Sequence, residues 1–333
     1  MPERITIGVP IYCGKLFLED SLASIQNQTY TNIDIVMSVD GPDPECEEIG
    51  RTFLADSRFR LVVQPRRLGW MGNTNWLVSQ VQTEFWHLQE QDDLMEPMFL
   101  ERLVEYARVH PQVAAVYFDV RLFGMSSRSL TMSSVTGSAF IRQMTLLHEH
   151  FNGVAPLGLV RTEALRLSGG LHGNEFENFA ADTALMSGLA RWGELHRIPL
   201  GQYRKRIHGE NTHGTWWTWA MDRRVKAWHA HCLCMLEQAL QIDAGPQERR
   251  LLWAAVIERL VSPRTAGGFL PIAELTAAER ADMLISFLER ARTSSIDIPT
   301  ALDAAWDDID QWTRGFYWPQ TPCARSRVAT VSQ

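Results

Sequence analysis

The stretch Phe85-Trp86-His87-Leu88-Gln89-Glu90-Gln91-Asp92-Asp93 decides how the chain reads. Its first four residues are a short, mostly apolar run of the kind that forms a buried strand. Three carboxylates, Glu90, Asp92 and Asp93, then crowd the carboxyl end of that strand and repel one another. A cation makes such crowding tolerable, and hard oxygen ligands suit Mg²⁺ or Mn²⁺. In an open α/β sheet, ligands bind at the carboxyl ends of the strands. The cluster therefore points to a metal–diphosphate site. The plainer alternative is a helix start, with Asp92 or Asp93 capping a helix that begins near Glu96-Pro97.

Outward from this stretch, residues 5–10, 33–40, 59–63 and 113–118 read as further strands, each rich in β-branched or apolar residues. Helical patterns at 17–28, 71–81 and 98–109 alternate with them, and a polar, helical segment precedes 59–63. Strands alternating with helices predict an α/β fold with a mostly parallel sheet and right-handed crossovers. Near Thr215-Trp216 the character changes, and 217–241, 247–261, 277–292 and 300–312 read as helices. The expected organisation is thus a nucleotide-binding and catalytic domain over 1–214, a helical domain over 215–322 and a tail over 323–333. The helical part holds eight tryptophans between Trp216 and Trp318, which suit a core of its own, a sugar-binding face or a homo-oligomer contact.

Composition narrows the partners. A net charge of −7 leaves no global basic field to hold nucleic acid, so none is expected. Arg204-Lys205-Arg206 is a local exception, suited to phosphate or to an anionic lipid surface. Five scattered cysteines, with no Cys-x-x-Cys, argue against a disulfide framework and for a reducing compartment. No signal peptide and no apolar run of ~18 residues are read, so a cytoplasmic setting is expected, with peripheral association at the inner membrane face as a variant.

Five elements in order resemble the family 2 glycosyltransferases and their GT-A nucleotide-sugar fold, over about residues 5–214. Pro10-Ile11-Tyr12 matches the family's Pro-x-Tyr after strand one, and Gln28-Thr29-Tyr30-Thr31-Asn32 its Gln-Thr-Tyr-x-Asn. Asp40-Gly41 matches the aspartate–glycine that ends strand two. Gly69, Gly72 and Asn75 stand in the Gly-rich stretch, and Glu90-Gln91-Asp92 takes the place of Asp-x-Asp. Downstream, Ser168-Gly169-Gly170-Leu171 is similar to the Gly-Gly-Phe turn, Ala181-Asp182 to the Glu-Asp pair, and Tyr203–Arg204…His208 to the Tyr-Arg…His segment. Glu90 and Ala181 depart from the family pattern.

The resemblance implies an inverting, metal-dependent enzyme that moves a sugar from a nucleotide-diphosphate donor, UDP first among them, to a hydroxyl. The acceptor would be a carbohydrate, a lipid-linked molecule or another hydroxyl carrier. It implies donor contacts at Pro10, Tyr12, Asp40, Gly69, Asn75, Glu90, Gln91, Asp92, Arg204 and Arg206. Mn²⁺ or Mg²⁺ would sit on Asp92 and His208, with Asp93 as a further ligand, and Asp182 would be the catalytic base. Chemically, Asp40 can accept the uracil N3–H, Tyr12 can flank the base, and a carboxylate at 182 can deprotonate the acceptor hydroxyl. Glu175 and Glu177 stand next in line as bases, and Asn152, Gly153, Trp70 and Trp76 as lining of the sugar sites. His148-Glu149-His150 has metal-like spacing, but alternate residues on a helix point apart. A non-catalytic nucleotide-sugar-binding protein of the same fold is the alternative. A dinucleotide oxidoreductase is disfavoured, because no Gly-x-Gly-x-x-Gly follows strand one.

Overall fold

The structure is a computed structural model that describes residues 3–149, 153–209, 211–294 and 296. The expected helix at 300–312, the tail, Trp306, Trp312, Trp318, Cys323, His150 and Asn152 lie outside the described residues. The chain divides into two compact units, 1–274 and 275–333. The expected boundary between 214 and 215 falls inside the first. In the second, α-helix Ala277–Arg292 matches the expected range and starts at a capping box between Thr276 and Glu279.

The first unit is built on a nine-stranded sheet among the described residues. Its long strands are β1 (Ile5–Ile11), β2 (Ile33–Val39), β3 (Phe59–Val63), β4 (Phe85–Leu88), β6 (Val113–Gly124) and β9 (Glu194–Ile207). Short strands β5 (Leu94–Met95), β7 (Ser129–Leu130) and β8 (Leu159–Arg161) complete it. The spatial order is β3-β2-β1-β4-β8-β6-β9-β5, with β7 beside β6. β1 pairs in parallel with β2 and β4, β2 with β3, and β6 with β9. β8 lies antiparallel between β4 and β6, so those two still point the same way. The six long strands therefore share one direction, and the carboxyl ends that the sequence singles out share one edge.

β1 is apolar because it is central: Ile5, Ile7, Val9 and Ile11 are all fully buried. The crossovers carry α1 (Leu18–Gln26), α2 (Pro44–Thr52), α3 (Gly69–Ser79) and α4 (Phe99–Val109), close to the expected ranges. Asp43 caps α2 through the Cys46 amide, and Pro44 takes the first helical position, where no donor is missed.

Downstream lie α5 (Ala139–His148), α6 (Thr162–Ser168), α7 (Ala181–Trp192), α8 (Thr212–Trp216), α9 (Met221–Ala239) and α10 (Pro246–Val261). Three differences from the sequence reading stand out. The strand expected to stop at 118 runs on to Gly124, because Asp119 is neutralised by a two-pronged pair with Arg197 at 2.7 and 2.8 Å. β9 was not anticipated. Its register jumps from Phe118↔Ile198 to Asp119↔Gly201, leaving Pro199 and Leu200 as a bulge that hides the alternation. The helix expected over 217–241 begins only at Met221, as α9, and a separate short helix, α8, ends at Trp216 before it.

Candidate active site

β1, β2 and β4 deliver Tyr12, Asp40 and the Glu90–Asp93 loop to the shared edge. A cavity of about 540 Å³ opens there, lined by Tyr12, Cys13, Lys15, Asp40, Gly41 and Asp43 among others. Gly41 has φ +94°, which lets the chain turn sharply after Asp40. Asp40 is buried, and its Oδ1 accepts from the Leu68 amide at 2.5 Å. Tyr12 is 44% exposed, and the Arg67 guanidinium lies 4.0 Å from its ring centroid. Pro10 is buried in β1, in register with Ser38.

The Glu90–Asp93 loop is held from both sides. Gln91 exchanges two hydrogen bonds with the Tyr12 backbone, at 2.8 and 2.9 Å, and so ties the loop to the end of β1. A Cβ on Gly14 would stand 2.2 Å from the Gln91 Oε1, so any larger residue there would push the Gln91 amide aside and disturb this tie. Trp70 donates its indole N–H to Glu90 at 3.2 Å. Arg206 on β9 clamps the loop: its amide donates to Asp93 Oδ1 at 2.8 Å and its guanidinium to the Asp92 carbonyl at 3.0 Å.

The three carboxylates face different partners. Asp92 Oδ2 stands 2.8 Å from His208 Nε2 and accepts from the Asn211 amide at 3.3 Å. Asn211 in turn accepts from the His208 backbone N–H at 2.7 Å, closing the loop on itself. Asp93 is fully buried, and its Oδ2 lies 3.7 Å from Lys205 Nζ. Burial pushes the carboxyls of Glu90 and Asp93 upward, and the Lys205 ammonium draws them back. Desolvation would lower the Lys205 pKa, but Asp93, Glu90, Asp92 and Asp182 together hold it above the ordinary lysine value.

Asp182 sits in the first turn of α7, where a carboxylate suits the helix dipole. It packs on backbone: a Cβ on Gly153 would come 2.4 Å from its Oδ2. The loop before it is strained. Glu177, Asn178 and Ala180 all take positive φ, at a cost of ~1–2 kcal/mol each for residues other than glycine. Phe179 in that loop is buried, stacked on Phe269 at 4.4 Å and set edge-on to Trp216 at 4.9 Å.

The expected residues divide accordingly. Tyr12, Asp40, Glu90, Gln91, Asp92, Asp93, Arg206 and His208 gather along one edge, and Asp182 acts on the same Lys205. Asn75 is spent elsewhere: its amide bonds both the Leu171 N–H and carbonyl, at 2.9 and 3.0 Å, which locks the turn through Gly169 and Gly170. Gly69, at φ +76°, opens α3. Arg204 stacks 4.7 Å from the Phe123 centroid and lines a second cavity with Asp20 and Leu94. His148 pairs with Glu258 at 3.2 Å. The sequence offered Lys205 only as part of a basic stretch suited to phosphate or lipid, and did not single out Asn211 as a site residue. The signal for Lys205 was the period of two along β9, which sets it on the face of buried Tyr203.

Among the described residues, no three His, Cys, Asp or Glu side chains group to hold a metal ion unaided. The donor chemistry nevertheless suits one ion completed by a ligand. Two donors ~2.1 Å from one ion and at right angles lie about 3 Å apart, close to the Asp92–His208 separation. Mg²⁺-type sites commonly use one or two protein ligands plus substrate phosphates.

A mostly parallel sheet with flanking helices and polar groups gathered at one carboxyl edge defines the class: a GT-A nucleotide-binding fold. The model described as "Glycosyl transferase family 2" matches residues 6–167, and over that stretch the chain is similar to this family. An uncharacterized glycosyltransferase of Haemophilus influenzae is 22% identical over 219 residues, 62% of this chain and 67% of that protein. The structure of S. aureus TarS 1–349 in complex with UDP-GlcNAc aligns with a TM-score of 0.65 at 11% identity, over 86% of this chain and 79% of that one. The mannosyltransferase PcManGT from Pyrobaculum calidifontis, in complex with GDP-Man and Mn²⁺, aligns with a TM-score of 0.54 at 16% identity, over 94% and 84%. At these identities the two structures establish the fold.

Proposed function

We propose that this chain is an inverting, metal-dependent glycosyltransferase that moves a sugar from a UDP-sugar to an acceptor hydroxyl, in the synthesis of a polysaccharide or glycoconjugate. The observation that carries the reading is the Asp92–His208 pair at 2.8 Å, set on the same edge as the Tyr12–Asp40 cavity. The neighbours' complexes with UDP-GlcNAc, and with GDP-Man and Mn²⁺, support it. Domains at 1–214 and 215–322 remain our organisation of the chain. The acceptor is a carbohydrate, a lipid-linked molecule or another hydroxyl carrier. The setting is cytoplasmic, with association at the inner membrane face as a variant. No helix among the described residues is long and apolar enough to cross a membrane.

The roles follow from placement. Tyr12 flanks the base, and the buried Asp40 offers its second oxygen to the uracil N3–H. Gln91 and Arg206 hold the Glu90–Asp93 loop in position. Asp92 and His208 would hold the ion, with Asp93, buried against the Arg206 amide and Lys205, behind them. When bound, the ion neutralises diphosphate charge and stabilises the leaving nucleotide. Asp182 takes the proton of the attacking hydroxyl, and one displacement inverts the anomeric centre.

The test is a thermal-shift series with UDP-, GDP- and dTDP-sugars, with Mn²⁺ and with EDTA. A UDP-sugar at a hundredfold excess over Kd should stabilise by about 2.7 kcal/mol, and only with the ion. No nucleotide-dependent shift in either condition contradicts the reading. Metal-dependent binding without transfer to any acceptor supports the non-catalytic alternative.

A further inference from the structure

Four acidic side chains and one lysine share the interior of this site. Asp93 is fully buried, its Oδ1 bonded to the Arg206 amide and its Oδ2 turned toward Lys205. That Oδ2 makes no hydrogen bond; the ammonium compensates it, with the buried Tyr203 hydroxyl beside it. Glu90 turns to the Trp70 indole. Asp92 turns the other way, onto His208 and Asn211. The carboxylates are thus sorted, and Lys205 stands on the inner side of the division. Two strand positions produce it: Tyr203 and Lys205 share the inner face of β9, while His208 follows at the strand's end.

We propose that Lys205 is a positioning residue that balances Asp93 and Glu90 inside the protein and so leaves Asp92 as the carboxylate turned to the metal and diphosphate. The proposal rests on the reading of Asp92 and His208 as the metal pair. A resident cation keeps the cluster assembled before donor and metal arrive. It also opposes a divalent ion, because like charges repel across a poorly screened interior. A site built this way binds metal weakly on its own and tightly with the diphosphate.

The experiment compares wild type with Lys205→Met, Lys205→Arg and the charge-balanced Lys205→Met/Asp93→Asn. Mn²⁺ alone is titrated by calorimetry, then with UDP. Melting is followed in EDTA and in Mn²⁺. Lys205→Met should bind Mn²⁺ without UDP about tenfold tighter or more, and melt lower in EDTA with the deficit relieved by Mn²⁺. Lys205→Arg should resemble wild type. The double variant should regain melting in EDTA and return toward wild-type Mn²⁺ affinity. Wild-type Mn²⁺ affinity in Lys205→Met, with a deficit that Mn²⁺ does not relieve, makes Lys205 a packing residue and overturns the proposal. If Lys205→Met does not fold, the double variant decides: failure to fold beside a folded Lys205→Arg also overturns it. If wild type binds no Mn²⁺ even with UDP, the metal reading fails. Melting of the double variant in EDTA then still shows whether Lys205 balances Asp93.

Discussion

The two halves of the sheet reach one edge by different means. β1, β2 and β4 are buried along nearly all their length, and each ends in polar residues at the shared edge. β9 is twice as long as β1, half-exposed along most of its length and bulged at Pro199 and Leu200. The first region supplies the cavity and its polar lining. The second supplies charge: Lys205, Arg206, His208 and, through α7, Asp182. On the function proposed above, the contrast assigns donor recognition and chemistry to separate parts of the chain that meet at the Glu90–Asp93 loop.

The largest expected effect falls where the regions touch. Asp92→Ala removes the carboxylate that faces His208, and should abolish the Mn²⁺-dependent part of UDP affinity while the fold survives. Calorimetry with and without Mn²⁺ checks this; an unchanged metal dependence would separate the regions and remove Asp92 from the site.

A second effect tests the seam itself. His87 on β4 is fully buried, with Nδ1 2.9 Å from the Gly158 carbonyl just before β8. Burial lowers its pKa from 6.5 to about 4. The unfolded chain therefore takes up a proton that the folded one refuses. This stability is intact above pH 6.5 and is lost as the pH falls toward 4, by about 3 kcal/mol in all. Urea unfolding at pH 7, 5.5 and 4 should show a shallower loss in His87→Gln than in wild type. Parallel curves would mean that His87 is not held neutral.

The smallest effect lies wholly in the first region. Asp40→Ala should weaken UDP by ~1–3 kcal/mol, the size of a hydrogen bond to a charged group, and relax the preference over GDP. Equal UDP affinity would reduce Asp40 to the turn residue that accepts from Leu68.

The same contrast explains what was legible in the sequence. Runs rich in isoleucine and valine such as 5–9 and 33–37 announce buried strands, and their polar ends announce a site, so the GT-A sheet and its carboxyl edge were readable. β9 was not, because Arg197, Arg204, Lys205 and Arg206 break its pattern and their compensation comes from strands far away in sequence. Asp119 beside Arg197 and Asp93 beside Lys205 are such pairs. Asn75 shows the reverse: its spacing suggested a donor contact, whereas its amide sits on Leu171, almost a hundred residues downstream.

The division of labour is tested most directly in Asp182→Asn, by measuring transfer rate and donor Kd on the same preparation. The change keeps size but removes the proton acceptor, and general-base catalysis contributes ~10²–10⁴-fold. The account predicts a rate lower by about that factor with UDP-sugar affinity unchanged, because the donor is held from the other region. A rate within a few-fold of wild type would move the base to Glu175 or Glu177. Loss of donor binding together with rate would contradict the separation of binding from chemistry.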